Sequence, residues 1–159
     1  MTGNARIDGK YRYNLTRTWD EGLPRVCFVM LNPSTADASQ DDPTIRRCIG
    51  YAQALGAGSL EVVNLYALRA TDPRALAKDA APIGPDNDKY IELAARSATT
   101  VVCAWGAHAH ARGRGRQVLA LLRRIGAQPM CLKQTKAGYP SHPLYLPAAL
   151  RPVPLRGAA

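Results

Sequence analysis

Three short apolar runs constrain this chain more than any other feature. They are Arg25–Leu31 (RVCFVML), Leu60–Leu65 (LEVVNL) and Thr99–Trp105 (TTVVCAW). Each is too short for a buried helix and reads as a strand buried on both faces. Between the first two, Pro43 opens a helix over Thr44–Leu55, Asp41 or Asp42 is placed to cap it, and Gly56 closes it. Between the second and third, a loop over Ala67–Ile83 leaves room for one helical turn. Pro85-Asp86-Asn87-Asp88 then starts a helix running to about Ser97, with acids where the helix dipole favours them. Farther on, Arg116–Ile125 carries Val118, Leu119, Leu122 and Ile125 on one helical face, and Met130–Leu132 is a short fourth strand.

Strands alternating with helices predict an α/β fold, a three-layer sandwich around a mostly parallel four-stranded sheet. The alternating stretch Lys10–Trp19 (KYRYNLTRTW) adds an N-terminal strand or hairpin, followed by a turn at Asp20–Pro24. At 159 residues the chain suits a single domain over 1–159, with an irregular proline-rich tail over 147–159. No stretch approaches a membrane span, and Met1–Lys10 lacks the apolar run of a secretory signal. The expectation is a cytoplasmic protein, and the cysteines agree. Cys27, Cys48, Cys103 and Cys131 are too widely spaced for a zinc knuckle or a redox pair, and read as reduced structural thiols.

Charge is distributed unevenly. Residues 1–92 carry 11 basic and 12 acidic side chains, whereas residues 93–159 carry 10 basic ones and no acidic ones. A one-sided basic half is the electrostatic footprint of a polyanion partner, chiefly nucleic acid or a nucleotide, or else a solvated cationic surface.

In parallel α/β sheets, ligands bind at the carboxyl ends of the strands. The apolar runs here break into Asn32-Pro33-Ser34, Asn64 and Trp105-Gly106-Ala107-His108, and a fourth polar element follows at Tyr139–Leu146. A parallel sheet would bring all four to one cleft. Each also has a plain structural role open to it: Asn-Pro forms turns, Asn64 could bind backbone at a sheet edge, and His142 could be a solvated loop histidine. His108 and His110 have a spacing that suits a metal, but without further ligands nearby no metal or other cofactor is expected.

Taken together, these motifs resemble the uracil-DNA glycosylase superfamily over roughly residues 25–147. Met30-Leu31-Asn32-Pro33-Ser34 is similar to the motif after its first strand, Asn64 to its base-reading asparagine, and VVCAWGAHAHARG to a later strand followed by a basic loop. His142-Pro143-Leu144 is similar to its last motif. More closely, the phrases MLNPSTADA, DDPTIRRC, VNLYALRATDP, AWG and HPLYL resemble a bacterial and phage family known as domain of unknown function 1643.

The superfamily resemblance implies a uracil-DNA glycosylase-like fold and an N-glycosylase that removes a uracil-like base from DNA, with catalytic residues Asn32, His142 and Asp37. Asn32 would orient the attacking water, His142 would donate a hydrogen bond to the departing base, and Asp37 is the candidate functional acid, Asp42 being the better cap. Asn64, Ser34 and Tyr66 would contact the base. Arg112, Arg114, Arg116, Lys133 and Lys136 would hold phosphates, and Leu144 or Tyr145 would fill the gap left in the duplex. The sequence departs from the superfamily in having no aromatic residue between Thr35 and Thr44 to stack on the base, for which Tyr51 or Tyr66 would have to substitute. Two other functions stay open on the same fold: a non-catalytic module binding a nucleotide or a base in nucleic acid, and an enzyme acting on a free nucleotide or nucleoside.

Overall fold

The structure, a computed structural model, describes residues 1–157. Its strands are β1 (Thr2–Asp8), β2 (Tyr11–Thr18), β3 (Arg25–Met30), β4 (Ser59–Asn64), β5 (Thr100–Cys103), β6 (Pro129–Cys131) and β7 (Val153–Pro154). The helices are α1 (Pro43–Ala54), α2 (Asn87–Ser97) and α3 (Arg112–Arg124), with 3-10 turns at Pro73–Lys78 and Ala109–Ala111. All strands join one sheet in the order β1-β2-β4-β3-β5-β6-β7. The neighbours β4-β3-β5-β6 are parallel, while β1-β2, β2-β4 and β6-β7 are antiparallel.

The sheet is therefore mixed and seven-stranded, larger than the expected four strands with an N-terminal strand or hairpin added. The two strands that were not individually foreseen lack the usual signals. β1 is exposed at six of its seven residues and has no apolar alternation. β7 is two residues long, contains a proline, and lies in the tail expected to be irregular. Residues 158 and 159 of that tail lie outside the described residues.

Alternation along the buried strands creates three layers. Val26, Phe28 and Met30 of β3 pack with Ile45, Cys48 and Ile49 of α1 on one face. Cys27 and Val29, pointing the other way, pack with Ile91 of α2 and Leu119 and Leu122 of α3. Burying such a side chain contributes roughly 1.5–3 kcal/mol, so both helical layers are held chiefly by this alternating row. Asp42 caps α1, its carboxylate accepting from the Ile45 N–H at 2.8 Å. All four cysteines are free and buried.

Helix α3 begins four residues earlier than its apolar face suggests, taking Arg112, Arg114 and Arg116 into its first turns. Arg-Gly-Arg-Gly-Arg has little intrinsic helix propensity, and tertiary contacts override it. Arg114 is buried, and Gly115 lets the helix approach Trp105: a Cβ there would lie 3.1 Å from the Trp105 Nε1. No helix among the described residues is long and apolar enough to cross a membrane.

Candidate functional site

The carboxyl ends of β3, β4 and β5 open into a cleft of about 590 Å³, within the range of small-molecule sites. Asn32, Ser34, Asn64, His108, His142 and Leu144 all line it. The four polar elements picked out in the sequence thus converge, as a parallel core requires.

Asn32 continues β3 into a loop that pairs with residues 66–70. Its amide donates to the Ala70 carbonyl at 2.7 Å and to the Pro33 carbonyl at 3.1 Å, which fixes the side chain and leaves Oδ1 as its acceptor. The Ser34 hydroxyl lies 3.5 Å from that of Thr71.

Asn64 ends β4 and is only 1% exposed. Its Nδ2 is sealed from solvent and has no hydrogen-bond partner among the described residues. Its backbone is firmly placed: the buried Asn87 donates to the carbonyls of Asn64 (2.8 Å) and Leu65 (3.0 Å). Arg114 adds a bond to the Leu65 carbonyl at 2.9 Å. The first turns of α2 and α3 therefore hold the end of β4, while the amide that β4 presents stays unsatisfied. Buried amides without partners are uncommon in folded proteins.

His142 is half-buried, and its Nδ1 accepts from the Leu144 N–H at 3.1 Å. A neutral imidazole that accepts at Nδ1 carries its proton on Nε2. Burial lowers the His142 pKa, and the field of Asp42 opposes the shift. His108 is fixed in the same tautomer, accepting at Nδ1 from the His110 N–H at 3.2 Å. The two rings of His108 and His110 stack 5.2 Å apart. Among the described residues no group of three or more His, Cys, Asp or Glu side chains is gathered to hold a metal.

Leu144 lines the cleft, and Tyr145 stands beside it at 93% exposure. Leu146 N–H bonds back to the Pro143 carbonyl, so residues 143–146 form a tight turn. Tyr145 sits in it at φ 72°, the sole non-glycine residue with positive φ among those described. Helix α1 holds the turn, through Arg47 to the Leu146 carbonyl and the Tyr51 hydroxyl to the Pro147 carbonyl.

Other expected residues lie elsewhere. Asp37 does not line the cleft; it is spent on its own loop, accepting from the Ser39 and Gln40 N–H groups, which lower its pKa. Asp42 is the one carboxylate lining the cleft among the described residues. Tyr66 packs in the α2/α3 layer and donates to the His110 carbonyl, and Tyr51 is buried under the 143–146 turn. Neither reaches the cleft, whose aromatic lining apart from histidines is Trp105. Arg114 is buried and bound to Leu65, Asp88 and Gln117, whereas Arg112, Arg116, Lys133 and Lys136 are exposed.

One cleft residue had no signal in the sequence. Arg12 of β2 is 2% exposed and lines the cleft. Asn14 pairs with Arg6 and Arg12 with Ile7, leaving Tyr13 as an extra residue, a β-bulge. Leu15 faces α1, Asn14 reaches Glu61, and Tyr13 stacks on Tyr90 of α2 at 4.9 Å. Two successive side chains thus take the α2 side, and Arg12 returns to the cleft side. Plain alternation gives the opposite answer.

Fold and cleft define a class: a mixed α/β protein with a cleft at the carboxyl edge of its parallel strands, lined in part by buried polar groups. The chain belongs to the family described as protein of unknown function (DUF1643), whose model matches residues 12–144. No curated protein and no solved structure matches it.

Proposed function

We propose that the cleft receives a nucleobase and that the chain is a DNA-base glycosylase-like enzyme of uracil-DNA glycosylase-like fold, hydrolysing the N-glycosidic bond of a uracil-like deaminated or modified base. The observation that carries this reading is Asn64: a buried amide nitrogen with no hydrogen-bond partner among the described residues, at a firmly held strand end lining a cleft of suitable size. Such a group matches the donor and acceptor edge of a pyrimidine taken out of the stack. The parallel order β4-β3-β5-β6 and the strand-end motifs support the fold reading.

In this scheme the C1′–N bond breaks with its electron pair leaving on the base. A water oxygen bonds to C1′, and one water proton is ultimately taken by the base. Asn32 Oδ1 orients the water. Asp42, rather than Asp37, is the carboxylate available to receive its proton. The Nε2–H of His142 donates to the oxyanion developing on the base, a task that suits a neutral imidazole. Arg112, Arg116, Lys133 and Lys136 contact phosphates, and Leu144 and Tyr145 enter the duplex at the cleft rim.

The test is incubation with end-labelled single- and double-stranded DNA carrying uracil, xanthine, hypoxanthine or 5-hydroxymethyluracil, followed by alkali. Cleavage at one base, lost in Asn32→Ala and His142→Ala, is expected. A second reading, recognition of a base without excision, is favoured by one observation: the single cleft carboxylate already caps a helix. Salt-sensitive DNA binding without cleavage would select it.

A further inference from the structure

Arg12 has no role in the proposed chemistry, yet its placement is unusual. Its Nη1 donates to the Ala36 carbonyl at 2.8 Å, and its Nε is sealed from solvent without a partner. It takes part in none of the six ion pairs among the described residues. Asp42 attracts it most strongly, but that carboxylate is bonded to the α1 backbone and does not reach ion-pair distance. Desolvation lowers the guanidinium pKa to about 10, so Arg12 remains a cation at neutral pH.

A buried cation without a matched anion is a costly arrangement. Here the backbone is bulged in a way that brings the cation to the cleft. Asn64 brings a second sealed, unpartnered donor to the same cleft. The Arg12 Nε and the Asn64 Nδ2 each lack an acceptor among the described residues, and a ligand seated in the cleft is a source of one. An arginine fork meets planar or tetrahedral oxyanions with paired donors, which a lysine ammonium does not.

We propose that Arg12 forms an oxyanion subsite in the cleft that Asn64 also lines, taking a carboxylate or phosphate group carried by the ligand whose base edge Asn64 meets. The subsite shares the cleft with the proposed function and needs no bond cleavage. It narrows the ligand to an anionic one, either a base bearing an acidic substituent or a nucleotide whose phosphate reaches Arg12.

The experiment uses the full chain at constant ionic strength and replaces chloride stepwise by inorganic phosphate or by acetate. Two quantities are followed: the Arg12 Nε–H resonance and the melting temperature. One of the two anions should move the resonance at millimolar concentration and raise Tm by several degrees, as binding to the folded state alone requires. Arg12→Gln should abolish the rise, and Arg12→Lys should keep only part of it. A response to phosphate identifies the nucleotide-phosphate source, and a response to acetate the carboxylate source. No movement of the resonance with either anion overturns the subsite, as does an undiminished Tm rise in Arg12→Gln. If Arg12→Gln does not fold, the resonance in the unaltered chain still decides. Cleavage without an anion response would sink the subsite alone, and an anion response without cleavage would sink excision alone.

Discussion

Asn64 and Asn87 are both buried amides at the end of β4, and they should respond oppositely to truncation. The Asn64 Nδ2 has no partner to lose, so Asn64→Ala should change the unfolding free energy by less than about 1 kcal/mol while reducing ligand binding at least about ten-fold. Asn87→Ala frees two buried carbonyl bonds and should cost about 2 kcal/mol. Urea unfolding of both variants, beside a binding titration, checks the contrast. His142 gives a signed pH effect. Its folded pKa lies below the unfolded value near 6.5, so the unfolded chain takes up the proton first. The His142 contribution is therefore neutral above 6.5, falls as pH drops toward the folded pKa, and then levels off. His142→Gln should flatten that part of a stability profile recorded by urea unfolding. Asn32, Asn64 and His142 were legible because each interrupts or follows an apolar run where a polar group is out of place. The placing of Asp37 was not legible, because its loop turns the carboxylate onto the backbone, away from the cleft lining, which spacing does not reveal.

At the scale of elements, local close approach decides more than propensity. Gly58 precedes β4 where a Cβ would lie 1.9 Å from the Asp20 carbonyl oxygen. Its own carbonyl accepts from the Trp19 and Asp20 N–H groups, so neither segment can easily give way. Gly58→Ala should destabilise the fold by about 1–3 kcal/mol, read by thermal melting. The 143–146 turn makes the converse prediction. Tyr145 holds a left-handed conformation that costs a non-glycine residue about 1–2 kcal/mol. Tyr145→Gly should therefore raise or leave unchanged the melting temperature, and weaken nucleic-acid binding if the exposed ring enters the duplex. The central strands and helices were readable because apolar period and punctuation agree there. The bulge at Tyr13 was not, because it is set by pairing with β1, which shows no apolar alternation of its own. Nor was the early start of α3, where Arg114 finds its partners at Leu65, just past β4, and at Asp88 of α2.

For the whole molecule, the basic C-terminal half divides into two populations. Arg114 is consumed by structure, while Arg112, Arg116, Lys133 and Lys136 remain exposed. If these hold phosphates, the logarithm of DNA affinity should fall linearly with that of salt concentration, and removing one exposed cation should lower the slope by about one. Filter binding across a salt series would show it, and a flat dependence would remove DNA as the polyanion. The four buried cysteines have a practical consequence. Burial raises the pKa of every one, so little reactive thiolate is present on the folded protein. Alkylation by a thiol reagent then clocks how often the chain opens. A single cysteine introduced on the cleft rim could carry a fluorophore against a silent background, turning the protein into its own reporter of occupancy.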